Sequence, residues 1–108
     1  DPNHKSIFPD EYRLYHNYPN PFNPSTIISY DLKAWSRVSL DIFDILGRNI
    51  MTLEKSLKAP GRHTTQWYGK DGKGLKMPTG VYFYRLIVQD PIVGKEVFTK
   101  TEKMMIVK

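Results

Sequence analysis

The 108-residue sequence contains no cysteine, and none of its apolar runs approaches the roughly 20 residues that a membrane-spanning helix requires. The missing cysteine excludes disulfide bonds, thiolate metal ligands and a cysteine nucleophile. The first residues lack the apolar stretch of a signal peptide, so we expect an exported protein of this kind to be part of a longer chain. No window sustains the apolar spacing of an amphipathic helix, which argues against a helical fold.

Residues with catalytic spacing are also missing. The three histidines are scattered, and the sequence has no nucleophile elbow, phosphate-binding loop or zinc-binding helix motif. Asp41 and Asp44 are three positions apart on a predicted strand, so they point to opposite faces and cannot act as a carboxylate pair. For His63, a structural hydrogen bond is favoured over metal ligation. We therefore expect no enzyme activity, no cofactor and no metal.

The chain is basic, with 16 Lys and Arg residues against 11 Asp and Glu residues. Many of the basic residues lie between positions 55 and 76, as in some nucleic-acid-binding proteins. Glu54 borders this run and Asp71 interrupts it, and no nucleic-acid-binding motif accompanies it. We interpret the excess charge as a solvated surface and as a basic rim for docking to an export or envelope partner, and we expect no nucleic acid partner and no membrane span.

Short segments of alternating apolar and polar residues, separated by proline, glycine and asparagine, predict an all-β chain. The predicted strands are residues 12–16, 26–32, 37–45, 50–53, 62–67, 81–89 and 96–108. A stiff, extended proline-rich loop occupies residues 17–24, and a polar loop occupies 54–61. About seven strands in this length predict an immunoglobulin-like antiparallel β-sandwich. Residues 1–11 are interpreted as a linker from an upstream domain, and residues 12–108 as the domain itself.

Several residues have expected structural roles. Trp67 is the predicted centre of the core, and residues 81–89 form a predicted central strand. Tyr82 is expected to hydrogen-bond back across a corner of the sandwich, and Gly47 supplies a turn that needs positive φ. The prolines are expected to stiffen their loop and to keep it from pairing with another strand. The structural motif residues are Pro19, Pro21, Phe22, Pro24, Gly47, Trp67 and Tyr82.

The loops contain further polar and aromatic candidates. The segment Asp71-Gly72-Lys73-Gly74 has a lysine where a calcium loop has an acidic ligand, so we interpret it as a turn in which Asp71 accepts backbone N–H bonds. Trp35 and Tyr68 lie in or beside loops, where aromatic rings can stack on sugars. For Trp35, a structural role covering one end of the sandwich is favoured.

Four segments together resemble a known family. They are residues 17–26 (NYPNPFNPST), 43–48 (FDILGR), 61–74 (a pattern of Gly, His, Trp, Gly, Asp and Gly) and 79–86 (TGVYFYRL). In this order and spacing, they resemble the C-terminal sorting domain, type A, of proteins exported by the type IX secretion system. The same pattern overlaps the immunoglobulin-like domain related to that of flagellar hook-capping proteins. The resemblance covers residues 12–108.

The resemblance implies a sorting and surface-attachment domain of a larger protein that is secreted or displayed on the cell surface of a Gram-negative bacterium, after passage through the periplasm. The implied partners are an outer-membrane translocon, a sortase-like peptidase that cleaves before residue 12, and the upstream domain of the parent protein. We expect recognition at the glycine-rich loop and the last two strands, through an exposed strand edge and a basic rim. The candidate recognition residues are Asp71, Gly74, Gly80, Lys103 and Lys108.

Two other functions are open at this stage. The first is an ancillary immunoglobulin-like module that binds glycan through exposed aromatics or stabilises a neighbouring extracellular enzyme. The second is structural assembly, as in the hook-capping relatives, which predicts self-association. The resemblance also has one departure, because the hairpin over residues 90–101 is longer and more charged than is typical of the family.

Overall fold

The computed structural model describes residues 7–108 and contains, within that range, seven β-strands and no helix. The predicted all-β class is therefore confirmed. Residues 1–6 of the predicted linker lie outside the described residues. Within the described part of the chain, no helix has the length and apolar character to cross a lipid bilayer. The strands are β1 (Arg13–Leu14), β2 (Thr26–Leu32), β3 (Ser36–Phe43), β4 (Asn49–Lys58), β5 (Gly61–Trp67), β6 (Gly80–Gln89) and β7 (Glu96–Ile106).

The strands form two antiparallel sheets, one of three strands in the order β1-β2-β5 and one of four in the order β4-β3-β6-β7. This arrangement confirms the predicted immunoglobulin-like sandwich. β6 was predicted to be central, and it pairs with β3 on one side and β7 on the other. β4 and β7 are the edges of the four-stranded sheet, and β1 and β5 are the edges of the three-stranded sheet.

The observed limits of β1, β3, β4 and β7 differ from the predicted limits by two or more residues, and β3 ends at Phe43 rather than at residue 45. β4 continues through the predicted polar loop to Lys58, because residues 54–58 pair with β3 at an edge where charged side chains can reach water. β1 has only two residues, because its register with β2 changes after Tyr15. β7 ends at Ile106 rather than Lys108.

Alternate residues of the strands fill the space between the sheets, as the period of a strand requires. Trp67 is 1% exposed and packs between two other aromatic rings, with ring centroids 5.7 Å from Phe22 and 5.6 Å from Tyr82. Its Nε1–H donates to the carbonyl oxygen of Lys70 at 2.8 Å. The prediction that Trp67 is central to the core is confirmed. The other buried apolar residues are Leu14, Ile28, Tyr30, Leu32, Val38, Leu40, Ile42, Tyr84, Leu86, Val88, Met104 and Ile106.

The proline-rich loop does pair with a strand, contrary to the prediction. The N–H of Phe22 donates to the carbonyl oxygen of Met105, and the carbonyl oxygen of Phe22 accepts from the N–H of Val107, both at 3.0 Å. Pairing is possible because proline removes only its own N–H, and the N–H of Phe22 remains free to donate. The loop therefore fixes the end of β7 while the Phe22 ring enters the core.

Two local predictions are confirmed: the hydrogen bond of Tyr82 across a corner of the sandwich and the positive φ of Gly47 in a turn. The Tyr82 hydroxyl donates to the carbonyl oxygen of Pro78 at 2.7 Å, across the entry to β6. Gly47 has φ +81° in the turn between β3 and β4. In that turn the Asp44 carboxylate accepts the backbone N–H groups of Leu46 and Arg48.

A charged cluster on the outer face of the three-stranded sheet secures the short β1. The Asp31 carboxylate accepts a hydrogen bond from Arg62 Nε at 2.9 Å and another from the Tyr15 hydroxyl. The Arg62 guanidinium also lies over the Tyr15 ring, 4.5 Å from its centroid. Burial raises the pKa of Asp31, but the hydrogen bonds from Arg62 and Tyr15 outweigh it and hold that pKa below its usual value.

Candidate functional site

The proline-rich loop, the end of β7 and a glycine-rich loop over residues 68–79 converge at one end of the sandwich. Gly69 lies where the glycine-rich loop packs against the proline-rich loop and the end of β7. Its φ is +70°, and a Cβ atom there would lie 3.2 Å from the carbonyl oxygen of Pro24 and 3.6 Å from Cδ1 of Ile106. Glycine is therefore required both by the backbone conformation and by the contact between the two loops.

The glycine-rich loop is folded by Asp71, as the sequence predicted. One carboxylate oxygen of Asp71 accepts the backbone N–H groups of Lys73 and Leu75, each at 2.9 Å. The N–H of Met77 closes the base of the loop by donating to Gly69 at 2.8 Å. The carboxylate thus has a structural task. Within residues 7–108, no group of three or more His, Asp or Glu side chains is placed to hold a metal ion.

A basic groove of about 480 Å³, here called the end groove, lies between the two loops and the end of β7. Lys70 and Lys76 face each other across the base of the glycine-rich loop, and Lys108 adds a third positive charge. None of these three lysines forms an ion pair with any residue in the described range. The groove is lined by Asn23, Pro24, Tyr68, Gly69, Lys70, Lys76, Met77, Ile106 and Lys108.

The candidate recognition residues lie near this end of the sandwich but not in one cavity. Asp71 and Gly74 are in the glycine-rich loop, and Lys108 lines the end groove. Gly80 begins β6 and lines a second, mainly apolar hollow with Ile45 and Leu46 among its neighbours. Lys103, which pairs with Phe83, lines a third hollow beside Pro21 and Met105.

Sequence reasoning placed Lys70 and Lys76 in the basic run over residues 55–76 but did not predict that the two lysines are neighbours. The sequence signal for this pairing is the spacing of the two lysines around the turn, because two residues that flank a tight turn symmetrically become cross-strand neighbours. The structure pairs them in an antiparallel bridge. The end groove consequently has more positive charge than the terminal lysine alone provides.

Trp35 and Tyr68 lie at opposite ends of the sandwich, so they cannot form one sugar-binding platform. Trp35 is in the β2–β3 turn, and Tyr68 follows the end of β5. Both are 58% exposed. The expectation that Trp35 covers an end of the sandwich is wrong, because Trp35 is more than half exposed and is not among the residues that pack against the core.

The outer edge of β7 is partly open, in line with the expected exposed edge. Residues 105–107 are covered by Phe22, whereas residues 96–103 pair only with β6 among the described strands. Lys100 forms an ion pair with Glu102 at 3.2 Å along this edge, and Nδ1 of His16 lies 3.1 Å from the other carboxylate oxygen of Glu102. In the preceding turn, Asp90 accepts the N–H groups of Ile92 and Val93.

Comparison with known proteins identifies related domains. The family model described as FlgD Ig-like domain matches residues 23–90. The structure of FlgD from P. aeruginosa is 26% identical with a TM-score of 0.61, and the match covers 75% of this chain and 61% of that one. No curated protein matches the chain in sequence.

Two structures from Porphyromonas gingivalis share the fold. Dimeric latent PorU is 23% identical with a TM-score of 0.69, and the match covers 96% of this chain and 10% of that one. PorZ, an essential bacterial surface component of the type IX secretion system, is 23% identical with a TM-score of 0.52 over 92% of this chain and 12% of that one. The chain therefore spans only a small part of either protein.

Proposed function

This chain belongs to the FlgD Ig-like domain family, and from that premise we propose that it is a non-enzymatic sorting and surface-attachment domain of a larger protein exported by the type IX secretion system. The observation that carries the proposal is the convergence of three segments around the end groove. Two of them, the proline-rich and glycine-rich loops, are segments in which the sequence resembles type IX sorting domains. The fold that the chain shares with PorZ, itself a component of that system, is consistent with this role.

The end groove suits recognition of a folded domain by an acidic partner surface. Lys70, Lys76 and Lys108 have no carboxylate partner in residues 7–108, so binding breaks no existing ion pair. Complementary charge accelerates association and orients the two surfaces. In the proposed pathway the translocon binds this end, and the peptidase then cleaves before residue 12 and leaves the parent protein at the cell surface.

The contacts of three possible acid–base groups support a non-enzymatic role. Asp41 accepts hydrogen bonds from Ser39 at 2.7 Å and Thr52 at 2.6 Å. Asp44 forms an ion pair with Arg48 at 2.7 Å. His63 Nε2 lies 2.8 Å from the carbonyl oxygen of Ala59. These groups stabilise turns and strand pairs and do not converge on a common cavity.

The direct test is a fusion of residues 1–108 to the C-terminus of a folded periplasmic reporter in a bacterium with a type IX system. We expect the reporter to reach the cell surface or the medium, as measured by protease accessibility of intact cells. A reporter that remains in the periplasm although the domain is folded contradicts the proposal.

Charge-reversal variants test the end groove. Lys70→Glu with Lys76→Glu is expected to reduce surface delivery, whereas Lys95→Glu is the matched control because Lys95 is exposed in the turn at the opposite end. Melting temperatures of the purified domains separate a recognition defect from misfolding. Equal delivery of both variants contradicts a role for the groove.

A further inference from the structure

Two exposed tyrosines flank an aliphatic and an amide side chain on the outer face of the three-stranded sheet. Tyr18, Ile27 and Gln66 lie side by side, since Tyr18 pairs with Ile27 and Ile27 pairs with Gln66. Tyr68 follows two residues after Gln66, and its hydroxyl donates to Oε1 of Gln66 at 3.2 Å. Tyr18 is 79% exposed, Tyr68 58% and Ile27 46%. We call these four residues the tyrosine strip.

A backbone irregularity places Tyr18 on this face. The N–H of Tyr15 donates to the carbonyl oxygen of Ser29, whereas Tyr18 exchanges backbone hydrogen bonds with Ile27. The three residue steps from Tyr15 to Tyr18 therefore lie opposite only two steps on β2. One extra residue reverses which side chains point outward. Asn17 is buried as a result, and its amide donates to Thr26 Oγ1 at 3.0 Å.

The exposed ring of Tyr18 contributes little to the stability of the fold. An aromatic ring that is four-fifths exposed contributes little to the core, so a polar residue would serve the fold equally well. The local structure nevertheless holds this ring on the face that also carries Tyr68. Rigid aromatic rings with a polar tip are efficient binding groups because they lose little conformational entropy on contact.

We propose that the tyrosine strip binds an uncharged polysaccharide. The flat face of a tyrosine ring packs against the C–H face of a sugar ring, and the hydroxyl and amide groups of the strip match sugar hydroxyls. Gln66 is already oriented, because its Nε2 donates to Ser25 Oγ at 2.8 Å while its Oε1 accepts from Tyr68. The four side chains carry no charge, which favours a neutral sugar over an acidic one.

The size of the strip favours a polysaccharide over a protein. A stable protein interface buries about 800 Å² on each partner, far more than four side chains supply. A sugar chain needs only a narrow track. Tyr18 and Gln66 are two strand spacings apart, about 10 Å, which is the span of a few linked sugar rings.

This inference goes beyond the proposed function, since the strip and the end groove share only Tyr68. The test is isothermal titration calorimetry of the intact domain with xyloglucan, mixed-linkage β-glucan, glucomannan and dextran, together with depletion by insoluble cellulose. We expect at least one of these polymers to bind. Tyr18→Ala and Tyr68→Ala are each expected to weaken binding about tenfold or more, whereas Tyr18→Phe keeps the stacking face and most of the affinity.

Trp35→Ala is the matched control, because Trp35 is as exposed as Tyr68 but lies at the other end of the sandwich. It is expected to leave binding unchanged. Gln66→Leu, which keeps both rings, is expected to weaken binding and provides a second test if an alanine variant is unstable. Failure of every uncharged polymer to bind overturns the proposal. A loss of binding in Trp35→Ala equal to the loss in the tyrosine variants also overturns it. Polygalacturonate serves as the acidic probe, and binding that is restricted to it and abolished by salt also overturns the proposal and assigns the contact to the lysines.

Discussion

The ring of Phe22 meets the indole of Trp67 edge to face, with centroids 5.7 Å apart and an interplanar angle of 61°. Phe22 belongs to the proline-rich loop and Trp67 ends β5, so the contact joins a loop to the sandwich core. Tyr82 of β6 packs on the same indole. The end of the molecule that carries the end groove is therefore built on three buried aromatic rings.

Trp67→Ala is expected to destabilise the domain by about 3–5 kcal/mol, because it removes the largest buried side chain and leaves a cavity between the sheets. Urea unfolding followed by circular dichroism measures the change. Trp35→Ala is the control, since its ring is exposed, and it is expected to change stability by less than about 0.5 kcal/mol. A melting temperature of Trp67→Ala within error of the wild type would refute the core placement.

Two C-terminal truncations are expected to differ in stability: the smaller deletion removes the positive charge of Lys108 from the end groove and leaves the domain folded, whereas the larger one unfolds it. Removal of Val107 and Lys108 deletes one backbone hydrogen bond to Phe22 and is expected to cost about 1 kcal/mol. Removal of residues 104–108 also deletes the buried Met104 and Ile106 and is expected to unfold the domain. Thermal melts distinguish the two truncations. Unfolding of the variant that lacks only Val107 and Lys108 contradicts this account.

Gly69→Ala is expected to cost about 2–3 kcal/mol, because alanine is strained at φ +70° and its Cβ would press on the carbonyl oxygen of Pro24. Gly47→Ala is the matched control. Gly47 has a similar φ of +81° but no atom within 4 Å of the added Cβ, so its cost is expected to be about 1 kcal/mol. Equal costs in chemical denaturation would show that the loop contact at Gly69 is unimportant.

Asp31 is expected to make stability pH-dependent in acid. Its pKa in the folded protein is held below the unfolded value of about 4, so its contribution is complete above that pH and is lost as the pH falls through the folded-state pKa. The wild type is therefore expected to lose more unfolding free energy between pH 7 and pH 2 than Asp31→Asn does. Urea titrations at several pH values measure both, and parallel curves contradict the prediction.

Much of the fold follows from local patterns. Alternation in β2, β3 and β6 predicted which residues are buried, because a strand with one face on the core must alternate. Asp71 and Gly47 indicated their turns through side-chain hydrogen bonding and positive φ. Residues 54–58, three of which are charged, gave no such signal, since an edge strand tolerates charges on positions that face water.

The two proposed binding surfaces followed less directly from the sequence. Lys70 and Lys76 become neighbours only after the loop closes, and Lys108 joins them only when Phe22 holds the end of β7. The partnership of Tyr18 with Tyr68 depends on the extra residue between Tyr15 and Tyr18. The alternation of apolar and polar residues does not reveal this extra residue, because the extra residue interrupts the alternation.

By itself, the sequence determined the all-β class, the approximate strands, the buried aromatic centre at Trp67 and the membership of the FlgD Ig-like domain family, because alternation, turn residues and ordered motifs are local properties. Tertiary structure decided the pairing of Phe22 with β7, the length of β4, the placement of Trp35 away from Tyr68 and the meeting of lysines in the end groove. These features depend on contacts between segments far apart in the chain, and such contacts are selected by the packing of the whole sandwich.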